Sequence, residues 1–199
     1  MLGKSHLLVG LAAGVVFDSF FHISGSPLTG QTCIDVSLVV SKVVYYCSVG
    51  FGALLPDIDN ARSTLGRRLG PISKEIQHVI GHRTLFHSLL GLLLGSLLAI
   101  GLGQLAAYFF ELRGVTLSTG IVNMWHLVFV GVLFGAVMHI VADALTTDGV
   151  PLLWPSRKHY GFPPNPRSRF RTGTWPETVI VWSLIILVVI GVWESILIV

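Results

Sequence analysis

Histidine and aspartate recur in this sequence where apolar residues are expected. His139 and Asp143, in MHIVADALTTDG at 138–149, stand four apart at the end of a long apolar run, a spacing that puts both on one face of a helix. Asp57 and Asp59, in LLPDID, flank a single residue after a proline. On an extended or turning segment both carboxylates fall on the same side, where either can bridge two ions. His82 and His87, in GHRTLFHS, precede another apolar run, His6 stands near the start and Glu177 opens the last run. Imidazole nitrogen and carboxylate oxygen together suit divalent zinc, manganese or iron. A carboxylate in apolar surroundings is costly unless it is paired or bound to a metal, and one cation offsets that cost for several groups at once.

The elements that must position these residues are apolar spans. Hydrophobic residues make up 52% of the 199 and charged residues 12%, against the roughly 25% charged of ordinary soluble domains; the mean hydropathy is +0.76. Five segments, 5–23, 34–55, 86–110, 122–146 and 177–198, each approach the ~20 residues that cross a bilayer core as a helix. The expectation is an all-α, polytopic membrane bundle of about five helices, one domain over 1–199. The N-terminus, with Lys4 before its apolar stretch and no clear small-residue cleavage site, reads as a retained first helix. Cys33 and Cys47 fit no CxxC or zinc-ribbon spacing and read as small apolar residues.

Charge sets the expected orientation. Of 13 basic residues, 11 fall on one side of an up-down topology: Lys4, five in loop 56–85 and five in loop 147–176. The positive-inside rule makes that side cytoplasmic, with the N-terminus inside and the C-terminus outside. The net charge of +3 therefore reads as topology and contact with anionic lipid, not as dedicated nucleic-acid binding. Loop 147–176, rich in Pro, Gly and aromatics including Trp154, Tyr160 and Trp175, reads as an ordered cytoplasmic cap at the membrane interface.

With that topology His6, Asp57, Asp59, His82, His87, His139, Asp143 and Glu177 all reach the cytoplasmic ends of their helices. Singly, each has a plain reading: a satisfied interfacial histidine, a helix stop, a carboxylate at a helix start. His22 and His126 lie towards the opposite face, Asp18 and His22 read as a local pair there, and His78 and His159 sit in basic loops. Convergence at one depth is what favours a metal centre.

The stretches SHLLVG, LLPDID, HRTLFHS, HIVADALTTDGVPLLWP and RFRTGTWPE resemble the YdjM-like family of LexA-regulated inner-membrane proteins, which are taken to be metal-dependent hydrolases. The likeness runs in order from His6 to Glu177. Two departures occur: Ser5 stands before His6 where the family has Thr, and Phe86 replaces the Thr before His87. The family is distantly similar to zinc-dependent phospholipases C and single-strand nucleases, which implies a phosphoester substrate.

The expected activity is metal-dependent hydrolysis of a phosphoester, a phospholipid or lipid-linked phosphate, at the cytoplasmic leaflet of the inner membrane. His6, Asp57, Asp59, His82, His87, His139 and Asp143 would hold two or more divalent ions, zinc first, because seven ligands exceed one closed tetrahedral site. Arg83 is the first candidate to hold a phosphate oxygen through its paired donors, with Arg169 and Arg171 behind it. Glu177 would orient a ligand or an Arg side chain, and Thr146 and Thr147 would orient Asp143. The sequence has no Walker or Rossmann glycine pattern and no Gly-x-Ser-x-Gly elbow. The rival readings are a metal transporter or sensor, which needs ligands near the bilayer midplane, and a bundle stapled by a structural metal.

Overall fold

The computed structural model describes residues 3–25, 36–81 and 83–197, with side chains to residue 190. Its helices are α1 (Gly3–Phe21), α2 (Val36–Gly52), α3 (Thr64–Leu69), α4 (Pro71–Ile80), α5 (Leu89–Leu112), α6 (Thr119–Ala144) and α7 (Trp175–Leu197). The protein is an all-α membrane helical bundle. Among the described residues α1, α2 with its extension to Asp59, α5 and α6 are long and apolar enough to cross a bilayer, and α7 adds the apolar stretch Trp175–Ile190. Large apolar side chains such as Leu98, Trp182 and Val189 lie exposed along these helices, as a hydrocarbon solvent permits.

The core is α1, α2 and α6, with α7 laid against α1. Small residues let the α2 and α6 backbones touch. A Cβ on Gly52 would overlap the Val132 carbonyl, and one on Gly135 would overlap the Val49 carbonyl. Close approach of this kind replaces the missing hydrophobic drive between helices in lipid. Tyr45, Val49 and Leu127 fill the space between. In contrast, α5 buries no residue among those described; it packs chiefly on α6 and the turn that precedes it, and Leu89 N–H reaches the Leu152 carbonyl at 3.0 Å.

Loop 56–85 is more structured than its sequence suggested, because α3 and α4 occupy much of it. Ser63 caps α3, accepting from Gly66 N–H, and Gly70, at φ 55°, turns the chain into α4. Ile72 and Val79 stay exposed on α4. The expected cap loop is ordered by a bridge between Val150 and Tyr160, with N–H to carbonyl bonds of 2.8 Å in both directions, and by Phe162 N–H to the Ala144 carbonyl at 2.8 Å.

Candidate metal centre

Pro56 starts a tight 3-10 turn, Pro56–Asp59, separated by three residues from the end of α2, because proline supplies a helical φ and needs no N–H partner there. The turn is held from outside: Ser63 donates to the Asp57 carbonyl at 2.9 Å and Ser73 to the Ile58 carbonyl at 2.7 Å. A second 3-10 turn, Leu85–His87, places His87 just before α5. Ser88 closes it, donating to the Leu85 carbonyl at 2.7 Å and accepting from Gly91 N–H at 3.0 Å. His139 and Asp143 come from the last turns of α6 and His6 from the first turns of α1.

These elements bring six side chains together. His6, Asp59, His87, His139 and Asp143 are all at most 1% exposed, and Asp57 is 9% exposed. His139 Nδ1 lies 2.7 Å from the Ala53 carbonyl. A carbonyl only accepts, so Nδ1 carries the proton and Nε2 presents a lone pair. His87 Nδ1 lies 3.4 Å from Asp59 Oδ2, which turns His87 Nε2 towards His139 Nε2 at 3.3 Å. Around these two nitrogens stand Asp143 Oδ2, at 3.8 and 3.9 Å, and Asp57 Oδ1, at 4.0 Å from each. Tetrahedral zinc with bonds of about 2.0–2.1 Å would separate its ligands by about 3.3–3.4 Å; these five separations, 3.3–4.0 Å, are that size or slightly longer.

A second group of potential ligands is His6, His139 and Asp143. His6 Nε2 reaches Asp143 Oδ1 at 3.2 Å, and its ring stacks on His139 with centroids 3.7 Å apart. His6 Nδ1 is buried without a hydrogen bond among the described residues. His139 has one free lone pair, so it serves one ion. Asp143, with Oδ1 towards His6 and Oδ2 towards the cage, is the carboxylate placed to bridge two ions.

That geometry revises several expectations. Asp59 belongs to neither ligand group: its Oδ2 takes Arg83 N–H at 3.1 Å and faces His87 Nδ1, the position of a carboxylate that orients a ligating imidazole. Arg83 spans Asp143 Oδ2 at 3.2 Å and Asp148 Oδ2 at 2.8 Å, rather than standing open. Arg169 spends its donors on the carbonyls of Pro163, Gly161 and Pro164, so it staples the cap loop. Thr146 donates to the Asp143 carbonyl, not the carboxylate, at 2.8 Å, and Thr147 bonds through its main chain to the Phe170 carbonyl at 3.1 Å. Glu177 is buried, accepts Gly173 N–H at 2.7 Å and belongs to neither ligand group. His82 lies outside the described residues, as does Cys33.

Sequence reasoning missed the Ala53 carbonyl, a main-chain atom without a side-chain signal. It also missed Asp148, although that residue sits within the TTDG stretch. Asp18 does not pair with the His22 side chain; its carboxylate binds Ser24, Lys42 and Tyr46 instead.

The sequence model of the family described as YdjM inner membrane protein matches residues 1–198. The chain is 32% identical over 164 residues to inner membrane protein YdjM of Escherichia coli (strain K12), covering 82% of this chain and 70% of that protein. The same figures hold for inner membrane protein YdjM of Shigella flexneri. Identity to YvsG of Bacillus subtilis (strain 168) is 27% over 184 residues, covering 92% of this chain and 89% of the relative. No solved structure matches.

Proposed function

Because the chain belongs to the YdjM inner membrane protein family, we propose that it is a metal-dependent phosphoester hydrolase working at the cytoplasmic rim of the inner membrane. The observation that carries the reading is the meeting of His87 Nε2 and His139 Nε2 at 3.3 Å. The Ala53 carbonyl holds the proton on His139 Nδ1, so the His139 Nε2 lone pair faces His87 Nε2 between two carboxylates. Two imidazole nitrogens and two carboxylate oxygens at this spacing are a donor set that suits a divalent ion. A buried carboxylate is costly unless it is paired or bound to a metal, a cost that a bound cation offsets.

His87, His139, Asp57 and Asp143 would hold one divalent ion, and His6 with Asp143 Oδ1 would form part of a second site. Bound there, such an ion supplies Lewis acidity and activates water near neutral pH. The Ala53 carbonyl fixes the tautomer of His139, and Asp59 stands behind His87 Nδ1 at 3.4 Å. Arg83 is placed to meet a phosphate. Its contact to Asp148, whose side chain is 63% exposed, is the outer of its two ion pairs. That contact exchanges readily for the parallel acceptors of a phosphate. The basic loops around this end support a cytoplasmic orientation through the positive-inside rule.

Four protein corners also suit a closed structural ion, the second reading. A transporter is disfavoured by ligands gathered at one end of the spans, away from the midplane. Purified protein in detergent is assayed for metal by mass spectrometry and for turnover of phosphomonoesters and phosphodiesters. The enzymatic reading expects bound metal, turnover that stops on chelation, and loss of both in His139→Ala and Asp57→Ala with helicity retained. Stoichiometric metal with no turnover, together with a Tm that falls on chelation, would leave only the staple.

A further inference from the structure

Beside the metal centre the loose packing of α5 leaves a groove. It encloses a cavity of about 400 Å³ between α5 and α6, within the roughly 300–1,000 Å³ of small-molecule sites. Its walls run from Leu85 and Phe86 past Leu92 and Gly95 to Ala99, facing Phe129 and Val132. Ser96 is the polar side chain of the lining, and its hydroxyl is turned back onto the Leu92 carbonyl at 2.7 Å. The lining therefore offers hydrocarbon and no hydrogen bond.

The position of the groove says what fills it. Pro56 and Ile58 line its upper end and bracket Asp57 in the same turn. Phe86 lines it beside His87, and Ala136 lines it one turn before His139. The metal centre and the groove are thus opposite faces of the same short turns. From Gly91 to Ala99 the wall descends about 12 Å at 1.5 Å per residue, close to the ~15 Å depth of one leaflet's hydrocarbon. A headgroup at Arg83 and the cage would leave its own tail at the mouth of this groove.

We infer that the α5–α6 groove holds one hydrocarbon tail of a lipid phosphate whose headgroup lies at the metal centre. The assignment rests on the phosphoester reading of that centre and narrows it to membrane-borne substrates. Water-soluble phosphates would reach the cage without using the groove and so gain no binding from it.

The test reads the tail directly. The full chain is placed in phosphatidylcholine nanodiscs with a trace of phosphatidic acid bearing a mid-chain diazirine; a diazirine phosphatidylcholine with the same tails is the comparator. After photolysis, labelled peptides are mapped by mass spectrometry. Phosphatidic acid should label Leu92–Ala99 and Phe129–Ala136 about tenfold above phosphatidylcholine, a preference of ~1.4 kcal/mol. A Cβ on Gly95 meets nothing within 4 Å, and Gly in a helix interior is the weakest ordinary helix former. Gly95→Phe should therefore fold, fill the groove and abolish the preference, with Gly95→Leu as a smaller blocker. Gly101→Phe, on the same helix with equally open space and outside the groove, should keep it. Equal labelling by the two lipids, or a preference that survives Gly95→Phe and Gly95→Leu, overturns the inference. Labelling needs no turnover, so a wild-type protein that hydrolyses nothing but labels selectively defeats the catalytic reading and leaves the lipid-phosphate groove standing.

Discussion

Each end of the α1–α2–α6 core buries a carboxylate cluster, and the two solve the same problem differently. At the end of α1 far from His6, the Asp18 carboxylate receives donors only: Ser24 N–H at 2.7 Å, Ser24 O–H at 2.6 Å, Tyr46 O–H at 2.9 Å and the Lys42 ammonium at 3.3 Å. Its charge is matched by a cation from the chain itself. At the other end, the Nε2 atoms of His87 and His139 stand 3.3 Å apart, with oxygens of Asp57 and Asp143 within 3.8–4.0 Å of them. Residue type does not separate the clusters, since both are built on buried aspartate. The balance of donors and acceptors does. The first matches one carboxylate with one ammonium, whereas the second sets three aspartates and three histidines around a single guanidinium, Arg83, which reaches Asp143 Oδ2 at 3.2 Å.

The largest effect that could break this contrast comes from the self-sufficient end. Lys42→Met removes the ammonium and strands Asp18, which is 3% exposed. Breaking a buried pair on one side costs about 3–5 kcal/mol. The variant should show a marked drop in Tm in detergent with its metal content per folded molecule unchanged. A parallel loss of metal would mean that the two ends are not independent.

A smaller effect sharpens the other end. Asp59→Asn keeps the shape beside His87 but removes the charge that orients its Nδ1. Removing such a carboxylate behind a ligating imidazole lowers metal affinity about 10–100-fold. Competition with a chelator of known affinity measures it. An unchanged affinity would return Asp59 to a purely structural role, and a total loss would make it a direct ligand.

How much of this could be read in the sequence follows from where the information lies. The spans were legible because apolar runs near 20 residues have few alternatives in lipid, and each of the five expected segments contains or overlaps a helix. The meeting of His6, Asp57, His87, His139 and Asp143 followed from the spans and the side on which arginines gather, so it too was legible. The division of labour was not. Asp57 and Asp59 are equivalent in PDID, and only the 3-10 turn sends one carboxylate to the cage and the other behind His87. Arg83 and Arg169 look alike as loop cations, yet one bridges two carboxylates and the other folds back on three carbonyls. The α3–α4 pair was obscured by its basic residues, although Ser63 as a cap and Gly70–Pro71 as a break were present as signals. The sequence offers no signal for the Asp18–Lys42 pair, whose members lie 24 residues apart on α1 and α2.

The finest discrimination pairs two changes at the Asp18 end. If Lys42 matters only as the counter-charge, removing both charges should restore what the single change loses. In Asp18→Asn with Lys42→Met, the amide oxygen can still accept Ser24 N–H. The amide NH₂ can donate where the carboxylate accepted, because the Ser24 and Tyr46 hydroxyls also accept. Replacing a buried ion pair by fitting uncharged residues is often close to neutral, so the double variant should lie within about 1 kcal/mol of wild type. Equilibrium unfolding of wild type, both single variants and the double variant gives the coupling energy directly. A double variant as unstable as Lys42→Met alone would show that Lys42 acts through its packed alkyl chain rather than its charge, and the contrast between a self-neutralised end and a cation-requiring end would lose its first half.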